Sequence, residues 1–189
     1  MPRPPVLPAL DWPEIFAEAS TFEAWLESAE FPDKAAAMAH NVAEITLVDE
    51  AASFLQDLPR RVNVLVVAED WCGDVVRHVP ALMRLARESE QLTVRFVTRE
   101  ERPEVFVRFL TNGGEAIPKF VFFSADFVEC GNWGPMPENC RRLISRGKAC
   151  GDVPAARKIV AARYEADTGC VEAITELLDL VELTSASSM

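Results

Sequence analysis

Apolar residues fall into blocks whose spacing changes along the chain. The run Val62-Asn63-Val64-Leu65-Val66-Val67-Ala68 is β-branched and nearly uninterrupted, which predicts a strand at 62–68 buried on both faces. Directly after it, Val76, Val79, Leu82, Met83 and Ala86 recur at helical spacing and predict a helix over 73–88. The pattern continues with a strand at 92–98, a helix at 103–110, strands at 119–123 and 127–131, and a helix at 137–146. Asn112-Gly113-Gly114 supplies positive-φ positions that end a helix and turn the chain.

The flanks read as helical. Ser20-Thr21-Phe22-Glu23 fits a capping box, and Phe22, Trp25, Leu26 and Ala29 form one apolar stripe. Phe31-Pro32-Asp33 interrupts it, and helices over 34–41 and 47–58 lead to a stop at Pro59. Beyond the core, helices over 154–166 and 171–183 are split by Asp167-Thr168-Gly169. Ile174, Leu177, Leu178 and Val181 make the apolar face of the second, expected to pack on the core. Residues 1–10 read as a poorly ordered proline-rich arm. A βαβ unit followed by a ββ hairpin and a helix suits an α/β fold with a mixed central sheet flanked by helices. The expected organisation is one compact domain: an N-terminal arm and helices over 1–60, a core over 61–147, and a C-terminal helical extension over 148–189.

Composition narrows the function. A chain of 189 residues, 49% hydrophobic and 26% charged, is long enough for one domain with a sizeable core. A net charge of −11 argues against nucleic acid or an anionic membrane as partner. No run approaches the roughly 20 apolar residues of a membrane span. The opening Met1-Pro2-Arg3-Pro4-Pro5-Val6-Leu7-Pro8 is too broken by proline for a signal peptide. The five cysteines show no Cys-x-x-Cys spacing, so neither a metal site nor a disulfide framework is indicated, and reduced thiols in a cytoplasm are expected. The sequence assigns no oligomeric state.

Cys72 carries the candidate chemistry. It lies where the strand gives way to the helix, so unpaired backbone N–H groups and the helix dipole should lower its pKa and favour the thiolate. Asp74 opposes this modestly, although at a helix start it also serves as a capping acid. Arg77 and His78 lie one turn on and point away from Cys72. His40 has no second ligand at metal spacing.

Trp71-Cys72-Gly73-Asp74-Val75, with Pro80 later in the helix, resembles the Trp-Cys-Gly-Pro-Cys motif of thioredoxin-fold proteins and its downstream helix proline. Ala116-Ile117-Pro118-Lys119-Phe120 resembles their Ile-Pro segment, whose cis proline faces the active site. The stretch from Leu110 to Pro118 and the segment Trp133-Gly134-Pro135 resemble a poorly characterised thioredoxin-like bacterial family, over roughly residues 60 to 147. The resemblance implies a thioredoxin-like fold, a cis bond at Ile117-Pro118, thiol-based oxidoreductase activity at Cys72, and a groove shaped by Trp71, Gly73, Asp74, Ile117, Pro118 and Trp133.

The departures are chemical. Position 75, where the resolving cysteine would fall, holds Val75, so a mixed disulfide on Cys72 has no adjacent sulfur to release it. Thioredoxin's buried carboxylate falls at Val66 and its lysine partner at Phe96; losing both together avoids a lone buried charge. Cys130 ends the predicted return strand, which would bring it towards the Pro118 end as a distant thiol. Two readings remain. One is a monothiol thiol–disulfide oxidoreductase acting on a protein thiol or disulfide, without a cofactor, and resolved by an external thiol such as glutathione. The other is a non-catalytic module binding an extended peptide in the groove beside Pro118.

Overall fold

Helix α1 (Trp12–Glu18) begins close to the start of the described residues, 9–187, in this computed structural model. The expectation for the proline-rich arm lies, over residues 1–8, outside them. The helix went unread in the sequence because seven residues are too few for periodicity to register. Helix α2 (Phe22–Glu27) is capped by Thr21, whose hydroxyl accepts from the Ala24 amide, so the cap lies one residue later than the Ser20 capping box. Ser20 instead pairs its backbone with Phe96. Helix α3 (Pro32–Glu44) starts on Pro32 itself, a residue tolerated in a first turn, and α4 (Asp49–Gln56) follows.

The apolar run forms β1 (Val62–Val67), all of it buried, and helix α5 (Gly73–Ala86) springs from it with Cys72 as its N-cap. The chain continues through β2 (Leu92–Val97), the single turn of α6 (Pro103–Phe106), β3 (Lys119–Phe123) and β4 (Glu129–Trp133). Helices α7 (Glu138–Cys150), α8 (Val153–Ala166) and α9 (Val171–Ala186) complete it. The four strands are ordered β2-β1-β3-β4, with β1 parallel to β2 and antiparallel to β3, and β3 antiparallel to β4.

Register decides what each face carries. Val66 pairs with both Phe96 and Phe120, and Phe120 pairs with Trp133, so these side chains share one face. His78 of α5 and Leu180 of α9 meet that face, and Ile174, Leu177 and Val181 of α9 are buried as expected. On the other face Trp12 of α1 sits 4.9 Å from Phe123 and 6.2 Å from Phe109. Val66 and Phe96, at the positions of the missing ion pair, are 0% and 1% exposed and stand directly opposite each other.

Several predicted boundaries move, among them the end of the last helix, from 183 to Ala186, and three have a local cause. The helix expected over 103–110 stops at Phe106, because the next amides of Arg108 and Phe109 bond three residues back in turns. The helix expected to end at 146 runs on to Cys150, since Gly147 lets α8 approach: a Cβ there would stand 2.6 Å from that of Ala156. The strand expected at 127–131 begins at Glu129. Phe127 adopts a positive φ of 59°, and the Ser124 hydroxyl accepts from the amides of Asp126 and Val128, so the turn consumes two more residues.

Candidate functional site

Cys72 and the Ile117-Pro118 segment come together as neighbours. The Cys72 thiol donates to the Ile117 carbonyl at 3.6 Å, and the Ile117–Pro118 bond is cis, as is Gly134–Pro135. Cys72 and Ile117 line a cleft of about 320 Å³ together with Trp71 and Asp74, whereas Gly73, Pro118 and Trp133 stand outside its lining. Trp71 is 46% exposed at its mouth, its carbonyl accepting from Lys34 at 2.6 Å. Gly73 begins the helix, and a Cβ there would meet open space. Behind the cleft Trp133 stacks on Phe120 at 5.1 Å and donates its indole N–H to Glu176 at 2.6 Å.

Electrostatics at Cys72 run against the expected depression. Burial of the thiol raises its pKa, the backbone N–H groups of Val75 and Asp74 lower it, and the carboxylates of Asp74 and Glu69 raise it again. The helix start does contribute, but desolvation of the thiolate is the larger effect, so the net shift is upward.

Cys130 is not brought to the site. The β3–β4 register puts its neighbour Gly131 opposite Phe122, at the far end of the hairpin from Pro118, and its thiol contacts Val128 O and Ser187 Oγ at 3.3 Å. The two-residue shift of β4 is the reason: it carries Cys130 away and sets Trp133 opposite Phe120. All five cysteines are unbridged. Cys140 is buried, and Cys170 donates to Arg77 O at 3.6 Å.

Several residues at the site were not singled out in the sequence. Asp74 accepts from the Tyr164 hydroxyl at 2.9 Å, and that oxygen lies 3.1 Å from His78 Nε2. Because Tyr164 spends its proton on Asp74, His78 must donate through Nε2–H, which leaves Nδ1 bare; Nδ1 is indeed buried without a partner. The legible signal was the i, i+4 spacing of Asp74 and His78, which puts both on one face of α5. Burial raises the Asp74 pKa, while Tyr164, Arg157 and Arg77 lower it. Arg99 grips Glu69 through two bonds of 2.7 Å and lies 5.7 Å from the Trp71 ring centroid. Asp70 accepts from the Phe31 amide at 2.7 Å and so ties the start of α3 to the loop before Cys72.

Lys119 directly follows Pro118. Only 4% exposed, its ammonium donates to Gly134 O at 3.0 Å, the same carbonyl that accepts from Arg141 at 3.3 Å. Burial, with Arg141 nearby, pushes its pKa down from 10.5 to about 8. The unfolded chain therefore binds a proton between about pH 8 and 10.5 that the native state does not, and stability should rise with pH through that window. At neutral pH the buried charge costs about 3 kcal/mol. Lys119→Met should raise stability by about 1–3 kcal/mol at pH 7, because Arg141 still satisfies the carbonyl, and should flatten the rise. Urea unfolding at neutral and alkaline pH checks this; a less stable variant would mean the Gly134 hydrogen bond outweighs desolvation.

A mixed sheet with helices on both faces, a cysteine capping the helix after its central strand, and a cis proline beside that cysteine define a thioredoxin-like α/β protein. A family model described as Thioredoxin matches residues 19–153, and the chain belongs to that family. The match reaches past the core expected at 61–147 on both sides. Among solved structures, a protein of unknown function from Pseudomonas aeruginosa is similar, with a TM-score of 0.72 and 20% identity, covering 92% of this chain and 98% of that one. An HIV epitope-scaffold is similar at a TM-score of 0.69 and 20% identity, with the same coverage. At such identity these establish the fold alone. No curated protein matches the chain. Among the described residues, no helix is long and apolar enough to cross a membrane, and no group of His, Cys, Asp or Glu is placed to hold a metal ion.

Proposed function

We propose that the protein is a monothiol thiol–disulfide exchanger with Cys72 as its nucleophile. The observation that carries this is the Cys72 thiol at the rim of the cleft, 3.6 Å from the Ile117 carbonyl and at the amino end of α5. In the first step Cys72 loses its proton to solvent, and the thiolate attacks one sulfur of a disulfide. A Cys72–substrate disulfide forms, the substrate S–S bond breaks, and the other sulfur leaves as a thiolate. An external small-molecule thiol, for example glutathione, then attacks the mixed disulfide as its thiolate and releases Cys72. Val75 offers no internal alternative, which makes the external thiol obligatory.

Because burial raises the Cys72 pKa, exchange should be slow at neutral pH and keep accelerating past pH 9.0, the ordinary value for the thiol. Stopped-flow formation of a mixed disulfide, localised to Cys72 by peptide mass spectrometry, checks this. A rate that reaches its plateau below pH 7 would refute the dominance of burial. Cys72→Ser should abolish the adduct. Insulin reduction should be poor in both forms, and efficient reduction that depends on Cys72 would sink the monothiol scheme.

The raised pKa and the inward hydrogen bond of Cys72 favour a second reading, a non-catalytic module that binds an extended peptide beside Pro118. Peptide binding that survives Cys72→Ala, together with an unreactive Cys72, would select it.

A further inference from the structure

We propose that the disulfide accepted at Cys72 is a small anionic one, whose carboxylates are held by a basic wall on α7 and α8. The inference rests on the exchange reading and supplies its substrate class. Arg141, Ser145 and Lys148 follow one another at helical spacing on the face of α7 that lines the cleft, and Arg157 of α8 faces it from beside them. Among the described residues, none of Arg141, Lys148 and Arg157 is in a salt bridge. Arg141 hydrogen-bonds, among the described residues, only the carbonyls of Gly134 and Met136, at 3.3 and 3.2 Å. Arg99, the fourth cation of the lining, is already held by Glu69 and Glu115.

The acidic side of the cleft is weaker. Asp74 is tied to Tyr164 at 2.9 Å, and Glu115 is turned to Arg99 at 3.3 Å. Arg157 faces the Asp74 carboxylate, but Arg141 and Lys148 form no salt bridge among the described residues, which is notable in a chain of 30 acidic and 19 basic residues with a net charge of −11. Guanidinium groups match carboxylates with paired hydrogen bonds, and a cleft lined by one sign of charge concentrates ions of the other. A volume of about 320 Å³ suits a small molecule.

The test compares two aromatic disulfides on the intact protein, with adducts assigned to Cys72 by peptide mass spectrometry so that Cys130 and Cys150 do not contribute. One is 5,5′-dithiobis(2-nitrobenzoate), which carries two carboxylates; the other is 2,2′-dithiodipyridine, which is neutral. Divided by the same ratio for free cysteine, the rate ratio of anionic to neutral reagent should exceed unity by about tenfold at low salt and shrink at high salt. Combining Lys148→Gln with Arg157→Gln should erase most of that preference, whereas Arg157→Lys should retain it. A ratio equal to that of free cysteine, or one unmoved by the double substitution, overturns the anionic-substrate inference and leaves the exchange reading standing. A Cys72 that reacts with neither reagent sinks the exchange reading, and this inference with it.

Discussion

Acidification from pH 6.5 towards pH 3 should cost the protein about 4–5 kcal/mol of stability through His78 alone. The ring is 1% exposed, and burial, helped by the Arg77 charge, lowers its pKa from 6.5 to about 3. Below pH 6.5 the unfolded chain takes up a proton that the native imidazole refuses, so the unfolded state binds more protons and stability falls as pH falls. The refusal has a structural cause. Nε2–H is committed to Tyr164, and the added proton would sit on Nδ1, which has no partner, inside an apolar packing that includes Trp133 with its ring centroid 5.2 Å away. Asp74 works the other way: its raised pKa lets the native state take a proton first and so returns part of the loss. Urea unfolding across this range should show a steep slope that His78→Gln flattens. Equal slopes in the two proteins would mean that His78 is not held neutral.

Gly134→Ala should destabilise the protein by at least about 3 kcal/mol, enough to threaten folding. Gly134 has a φ of +118°, a region that side chains rarely adopt. A Cβ there would also stand 2.1 Å from Pro118 O and 3.1 Å from Pro118 C, both backbone atoms that cannot rotate aside. Any relief must part the Pro118 and Gly134 strands, and that would loosen the carbonyl on which Lys119 and Arg141 converge. The measurement is the urea midpoint and, where the variant is soluble, the rate of Cys72 exchange. A midpoint like that of the wild type would show that these backbones separate at little cost.

Much of the central fold was legible in the residues. A β-branched run broken only by Asn63 reads as a strand covered on both faces, and it is one; a helical stripe starting at Gly73 has to bury one side against it. The apolar identities of Val66 and Phe96 foretold that no ion pair crosses β1 and β2, because a charge on either would need a partner there. What escaped was mostly short or long in range. Helix α1 and the Thr21 cap are too local for periodicity to resolve. The bonds joining Tyr164 to Asp74 and His78 span 90 and 86 residues, beyond the reach of any spacing argument.

By itself the sequence determined which residues form the inner faces, where Cys72 falls on α5, and that no second thiol follows it at position 75. These follow from side-chain periodicity and residue identity, which are properties of neighbours along the chain. Only the tertiary structure decided the rest. The turn at Phe127 set the register of β4, sending Cys130 to the far end of the hairpin and bringing Trp133 against Phe120. The packing around Cys72 made desolvation outweigh the helix N–H groups. The packing of α7 and α8 brought Arg141, Lys148 and Arg157 into the lining of the same cleft as Cys72. Register, desolvation and charge clustering depend on atoms brought together from distant segments, and a pattern of apolar and polar positions states which face a residue takes without naming what it will meet there.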